Sequence, residues 1–263
     1  AVLEDWTRTV PSDQPLRVLD LACGGLPLTI SAVMGAFPGR RFVYTGIDLN
    51  PDQVAQAAWF RFPDNVVASR LLEGNAWDLD GLGLEGGFDL VYSGMNLHHG
   101  TPEEIRFLGL QLRSLLTRPG LVLSHDVYRP DAAPYRRRPD ADPDNPRESW
   151  RLVPPERLRE AGIEPAALPE DGAAEDPGWR LDYLERMSQT LLARGGDPRG
   201  TASTVAHMRE RDYPISPREL CGIFADLGYW VQTHYYDAPN EPMAPYIAFC
   251  AVSLDGDQPC SRP

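Results

Sequence analysis

Strand and helix signals alternate over the first 128 residues, which predicts an α/β fold built on a mostly parallel sheet. Three observations carry that prediction. Residues 17–30 read RVLDLACGGLPLTI, a short apolar run that ends in small residues and gives way to a helical stretch. Residues 41–47 (RFVYTGI) repeat the apolar run and close on Asp48-Leu49-Asn50-Pro51. Strand, glycine turn, helix and second strand together make a nucleotide-binding βαβ unit.

The elements follow in order. Residues 2–10 read as a short helix or a fragment of a lid. Residues 16–21 form the first strand, and Ala22-Cys23-Gly24-Gly25 is the turn at its end. Glycines there let the backbone approach a ligand, and the next helix offers unpaired N–H groups. That helix, over 28–37, is apolar at Leu28, Ile30, Val33 and Met34. The full G-x-G-x-x-G spacing is absent. Asn50 as N-cap and Pro51 at the first position open a helix over 53–60. The third strand, 70–73, ends at Gly74-Asn75-Ala76, and a glycine-rich connection spans 78–87. The fourth strand, 88–95, leaves through Asn96-Leu97-His98-His99-Gly100. In an open α/β sheet, ligands bind outside the C-terminal strand ends, near the point where strand order reverses. Position alone therefore gathers Gly24, Asp48, Asn75 and His98 around one crevice.

Thr101 or Pro102 starts the next helix, with Glu103 and Glu104 in the first turn, where the dipole favours acids. Ile105, Leu108, Leu112 and Leu115 give it one stripe, and Pro119-Gly120 is expected to stop it. The fifth strand is 121–124, with His125-Asp126-Val127-Tyr128 leaving its end. Residues 129–214 break the repeating pattern. The stretch 129–147 is dense in Pro, Asp and Arg, and an acidic loop covers 169–177. Helices are expected over 155–161, 181–193 and 204–211, the second apolar at Leu181, Leu184, Met187 and Leu191. A helical insertion of this size after the fifth strand hangs over the crevice as a substrate cap, with a dimer arm as the alternative. The core resumes at Ser216-Pro217-Arg218-Glu219, a helix start, with Leu220, Ile223, Phe224 and Leu227 as its apolar face. Residues 229–236 and 246–254 read as two closing strands. The domain plan is thus 1–128 core, 129–214 cap and 215–263 end of the core.

Asp48 lies 24 residues past Gly24, close to the spacing of about 20 for an acid that holds two ribose hydroxyls. The segments VLDLACGG, TGIDLNPDQVAQA, LLEGNAWDL, FDLVYSGMNLHHG and LRSLLTRPGLVLSHD follow one another over residues 16–127. In that order they resemble the class I S-adenosylmethionine-dependent methyltransferases. The resemblance implies a Rossmann-like, seven-stranded, mostly parallel sheet with helices on both faces and an antiparallel strand pair at its end. It implies S-adenosylmethionine as cofactor but says little about the substrate; the negative charge and the cap point to a small-molecule acceptor, methylated at O, N or C. It puts Asp20, Ala22, Cys23, Gly24 and Gly25 beside the methionine, Asp48 on the ribose and Asn75 near the adenine, and adds Leu49, Ala76 and Trp77 to the cofactor-binding residues. Gly94 and Asn96 complete the cofactor set. His98 and His99 become the base candidates, with His125 at the neighbouring strand end. Two residues depart from the family pattern: Leu26 where a third glycine is usual, and Asn75 where Asp is usual. The Asn75 amide both donates and accepts, so it still suits an adenine edge.

Those departures motivate a second reading, a methyltransferase fold with cyclase or isomerase chemistry. A nicotinamide-dependent dehydrogenase is disfavoured by the missing G-x-G-x-x-G and the HHG loop, and a non-catalytic partner subunit is a further alternative. In an extended backbone consecutive side chains diverge, so His98 is expected to face the methyl group and His99 the next helix. The same divergence separates His125 from Asp126 and argues against a metal shared with His98. Tyr128, His207, Tyr213 and His234 are further candidates to line a pocket.

Composition narrows the partners. The 42% apolar content can fill a core. All 25 basic residues are Arg, which excludes a lysine Schiff base. A formal net charge of −13 argues against nucleic acid, and the run Arg136-Arg137-Arg138 sits among Asp and Pro. Cys23, Cys221, Cys250 and Cys260 show no CxxC pair or metal spacing, as in a reduced cytoplasmic protein. No run of 18 apolar residues and no signal-peptide core appears, so no membrane partner is expected. The first residue is Ala, and the resemblance implies helices ahead of the first strand, so upstream residues are expected. A homodimer stays open.

Overall fold

The structure, a computed structural model, describes residues 2–10, 13–131, 152–165, 178–211, 214–235 and 247–253. Helix α1 (Val2–Thr9) leads into five strands with three helices between them: β1 (Leu16–Leu21), α2 (Leu28–Gly35), β2 (Phe42–Asp48), α3 (Pro51–Ala57), β3 (Val66–Glu73), β4 (Phe88–Gly94), α4 (Pro102–Leu115) and β5 (Leu116–Val127). A short 3-10 turn, Leu97–His99, sits between β4 and α4. Helices α5 (Pro155–Glu160), α6 (Gly178–Ala193) and α7 (Pro198–Arg211) follow, then α8 (Pro217–Asp226), β6 (Trp230–Tyr235) and β7 (Ile247–Ser253).

The strand order is β3-β2-β1-β4-β5-β7-β6. The first five are parallel, and β7 runs antiparallel to both β5 and β6. Strand order reverses between β1 and β4, so the exits of these two strands flank the switch point. Alternating residues of the central strands feed two cores. Leu19, Leu21, Val91 and Val122 face Ile105, Leu108 and Leu112 of α4 and Leu220 and Phe224 of α8. Val18, Tyr44, Leu90 and Leu123 face Ile30 and Met34 of α2 and Trp6 of α1. Each such Leu, Ile or Val contributes roughly 1.5–3 kcal/mol by leaving water. A third, small cluster joins Val127 of β5 to Tyr183 and Leu184 of α6 and Met208 of α7.

Several boundaries differ from the sequence expectation for physical reasons. Asn50 and Pro51 open α3 as expected, with the Asn50 side chain accepting from Asp52 N–H. β3 begins at Val66 rather than residue 70, because residues 67–70 lie exposed on the sheet edge and leave no burial pattern to read. Pro119-Gly120 does not terminate α4. The helix ends at Leu115, and Leu116 is already paired with Phe88 of β4. The β4–β5 register then shifts between Phe88 and Leu90, so Pro119 falls at an irregularity where a missing N–H breaks no ladder. Trp6 of α1 donates its indole N–H to the Pro119 carbonyl there, at 3.3 Å. His125, Asp126 and Val127 belong to β5 and pair with Phe249, Ala248 and Ile247, instead of leaving the strand. In α6 the buried side is Arg180, Tyr183, Leu184 and Thr190, while Leu181 is exposed. Arg180 turns that side inward by donating to the carbonyls of Met208 and Arg209 near the end of α7. The expected irregular chain over 132–147, the acidic loop 169–177, Tyr213 and Cys260 lie outside the described residues, as do the side chains of His207 and His234.

Candidate active site

The exits of β1 and β2 are joined by a carboxylate. Asp48, half-buried at the end of β2, accepts from Gly24 N–H at 2.8 Å through one oxygen and from Asn50 N–H at 2.9 Å through the other. Gln53 of α3 takes the next amide, Gly25 N–H, at 2.6 Å. Gly24 has φ +61°, a left-handed conformation that a side chain makes costly. Ala22 (φ 55°) and Met95 (φ 54°) hold the same conformation without that freedom, one just past β1 and the other just past β4. Strain of about 1–3 kcal/mol at such residues persists where the surroundings impose it.

Beneath the turn, Asp20 is fully enclosed and accepts the Tyr44 hydroxyl at 2.8 Å. Burial pushes its carboxyl up to about 7, with the Tyr44 bond opposing and the Asp48 charge adding to the rise. Burial, then the charges of Asp20 and Asp48, push the Cys23 thiol up to about 12, so it is an unreactive thiol. The ring of Tyr44 and the sulfur of Cys23 fit only because Gly46 lacks a Cβ. A carbon there would lie 2.7 Å from the Tyr44 hydroxyl and 2.9 Å from Sγ.

On the other side of the switch point, Asp126 of β5 organises the exit of β4. It is wholly buried. One oxygen accepts the N–H groups of Asn96 (3.0 Å) and Leu97 (2.6 Å); the other accepts Val127 N–H (2.7 Å) and meets His98 Nδ1 at 2.6 Å. Burial raises such a carboxyl, but the imidazole of His98 and the Val127 and Leu97 amides outweigh it, and Asp126 is held below the usual carboxylate range. Asn96 is fixed in turn by the Trp77 indole N–H, at 3.1 Å.

A third constellation lies at the β3 exit. The Asn75 amide donates to the Leu152 carbonyl at 2.6 Å and accepts Trp77 N–H at 3.0 Å. Glu104, buried in the first turn of α4, completes a capping box with Thr101. Its other oxygen accepts the N–H groups of Leu152 (2.7 Å) and Val153 (3.1 Å). Arg157 of α5 adds bonds to Asp78 and Asp80, and Val153, Leu158 and Ile163 enter the main core.

No family model matches the chain, and no curated protein matches it. Solved structures do. LepI bound to S-adenosylmethionine superposes with a TM-score of 0.53 at 10% identity, over 97% of this chain and 46% of LepI. A pericyclic reaction enzyme gives 0.53 at 10% identity, over 97% and 47%. The plantazolicin methyltransferase BpumL, in complex with a monoazolic desmethyl analogue and S-adenosylhomocysteine, gives 0.52 at 9% identity, over 96% and 80%. This chain therefore spans about half the length of LepI. The fold is that of the class I S-adenosylmethionine-dependent methyltransferases.

On this methyltransferase fold, the residues expected at the site divide into groups. Asp20, Ala22, Cys23, Gly24, Gly25, Asp48 and Leu49 gather at the exits of β1 and β2, with Leu49 exposed. Gly94 ends β4, and Asn96 is buried under Asp126. Leu26, which stands where the family usually has a third glycine, is mostly exposed. Ala76 and Trp77 are buried in the main core. Asn75 is likewise engaged, because its amide closes on residues 77 and 152. His98 and His99 do not diverge: the backbone is a 3-10 turn rather than extended, and the rings stack with centroids 3.9 Å apart. His98 is buried and His99 half-buried. Burial holds the His125 imidazole below its usual range, with Asp126 opposing. Adjacent on β5, the His125 and Asp126 side chains take opposite faces of the sheet. Among the described residues no group of three or more His, Cys, Asp or Glu is placed to hold a metal ion. No helix among them is long and apolar enough to cross a membrane. Sequence reasoning missed Tyr44, Gln53 and Glu104. Only Glu104 left a trace, as the third residue after Thr101 in a capping pattern.

Proposed function

We propose that the chain is an S-adenosylmethionine-dependent methyltransferase acting on a small-molecule acceptor. One observation carries the reading: the glycine turn is lined by carboxylates rather than by available amides. Asp48 and Gln53 take the Gly24 and Gly25 N–H groups, and Asp20 lies below. A dinucleotide pyrophosphate needs those amides and is repelled by the acids, whereas a cationic ligand is welcomed by them. The donor set therefore suits S-adenosylmethionine. Asp48 retains acceptor capacity for ribose hydroxyls, and Asp20 gains a reason to ionise beside a positive group. When bound, the cofactor supplies an electrophilic methyl on a sulfonium, which passes to the acceptor's nucleophile and leaves a neutral thioether.

The protein's own part is to align the acceptor and remove its proton. His98, at the β4 exit beside β1, is the base. Its ring is fixed by Asp126, and proximity with general-base help accounts for the rate. Residues 129–214 form the cap: their described parts attach along the C-terminal strand ends, through residues 152–163 beside Asn75 and through α6 and α7 on Val127. The net charge of −13 favours a small acceptor over nucleic acid.

A second reading is supported by the likeness to a pericyclic reaction enzyme, since one fold carries both chemistries. Product analysis separates the two. Incubation of the protein with S-adenosylmethionine and candidate acceptors should form S-adenosylhomocysteine, and His98→Ala should lower turnover by about 10²–10⁴ with cofactor affinity nearly unchanged. Conversion of a substrate with no S-adenosylhomocysteine formed would replace methyl transfer by the cyclase or isomerase reading.

A further inference from the structure

We infer that Met95 and Leu28, with Leu26 beside them, determine acceptor specificity, and that the acceptor they take is an uncharged, apolar molecule. This rests on the methyltransferase reading and deepens its acceptor side. Met95 follows β4 in a left-handed conformation, φ 54°, with its side chain 40% exposed. A glycine holds that conformation without strain, and Gly94 is the preceding residue, yet the strain falls on the methionine. The backbone here is pinned. Met95 N–H donates to the His125 carbonyl at 2.8 Å, and the next two amides donate to Asp126. A strained residue with an exposed apolar side chain gives the fold neither a relaxed backbone nor buried area. Its use lies in what it meets outside the fold.

Leu28 is brought to the same place from the neighbouring strand. β1 pairs with β4, and the Tyr92 side chain of β4 is hydrogen-bonded to Thr29 in the first turn of α2. The Tyr92 ring lies against Gly94, where a Cβ would stand 2.5 Å from the hydroxyl oxygen. This contact ties the start of α2 to the exit of β4. Leu28 precedes Thr29 and Met95 follows Gly94, so both adjoin it. Leu28 is 61% exposed and Leu26 56%, and the Leu28 N–H folds back on the Leu26 carbonyl at 2.7 Å. None of the three side chains belongs to either large core of the sheet. The switch point thus has an acidic side, with Asp20 and Asp48 at the β1 and β2 exits, and an apolar side towards β4. An ion on the apolar side loses hydration that Leu and Met do not replace, and an anion is also repelled by Asp20 and Asp126. An uncharged apolar molecule instead gains by covering these side chains.

The test is calorimetry on the full chain loaded with S-adenosylhomocysteine. The uncharged probe is 2-naphthol, and its charged counterparts are 2-naphthoate and 2-naphthylmethylammonium. Wild type should bind 2-naphthol about ten-fold more tightly than either ion, or better. Met95→Ala and Leu28→Ala, in protein that still binds S-adenosylhomocysteine, should each weaken 2-naphthol by about 3–10-fold. Met95→Gly separates a ligand role from a structural one. It should weaken 2-naphthol as much, while its urea midpoint stays at or above that of wild type because the strain is gone. A lowered midpoint with 2-naphthol affinity kept makes Met95 a structural residue and overturns the inference. Tighter binding of either ion, or no binding of 2-naphthol to the loaded wild type, overturns it too. Failure of the wild type to bind S-adenosylhomocysteine overturns instead the methyltransferase reading beneath it.

Discussion

Replacing Asp20 with Asn tests the electrostatics under the glycine turn. The carboxyl moves from an ordinary 3.8 in the unfolded chain to about 7 in the fold, mainly because burial disfavours its charge. An acid with a raised value is protonated in the folded state while the unfolded chain has already ionised. Folding then takes up a proton between these limits, so stability falls as pH rises from about 4 to about 7 and levels off above. A gap of roughly 3 pH units at about 1.4 kcal/mol each amounts to ~4 kcal/mol. Asparagine cannot ionise, and its side-chain oxygen still accepts the Tyr44 hydroxyl. Other carboxylates titrate over the same range, but they are common to both proteins. Urea unfolding of wild type and Asp20→Asn from pH 4.5 to 8 should therefore show the variant gaining on the wild type by ~3 kcal/mol as pH rises, the first part of the change lying below pH 4.5. A difference that stays flat across the range would refute a buried, near-neutral Asp20. If the ligand's cation sits at the turn, S-adenosylmethionine should narrow the gap above pH 7 by compensating the charge.

Other substitutions probe the neighbouring contacts. Asp48→Ala removes the acceptor for Gly24 and Asn50 and should weaken S-adenosylmethionine binding by ~1–3 kcal/mol, the usual loss for a hydrogen bond to a charged group. Calorimetry on both proteins checks it, and equal affinities would take Asp48 out of the site. Asn75→Asp loses the donor to the Leu152 carbonyl and sets a carboxylate against it, so stability to urea should fall by ~1–3 kcal/mol while cofactor affinity changes little. A protein of unaltered stability with a large loss of affinity would return Asn75 to the adenine.

The legible parts of the fold were those with internal burial. Leu16–Leu21 and Phe42–Asp48 are central parallel strands covered on both faces, so they read as continuous apolar runs. The caps at Asn50, Thr101 and Ser216 were visible because their physics is local. What escaped was anything set by distant partners. Tyr44 looked like one more strand aromatic until Gly46 and Asp20 gave it a niche. His98 and His99 looked divergent because a 3-10 turn leaves no periodic mark over three residues. Asn75 makes a contact that no local pattern announces, its amide donating to the Leu152 carbonyl. A carboxylate there has no proton to give the Leu152 carbonyl, 77 residues away.

The modest cluster joining α6 and α7 to Val127 divides the molecule by rigidity. Detaching the pair uncovers Tyr183, Leu184 and Met208 and leaves both large cores of the sheet intact. Residues 152–163, by contrast, are sewn into the α4 core and cannot leave without it. Amide hydrogens of α6 and α7 should accordingly exchange through a partial opening that β1, β4 and α4 do not share. Residues 152–163 and the α6–α7 pair thus belong to different cooperative units, one a fixed wall and the other a hatch.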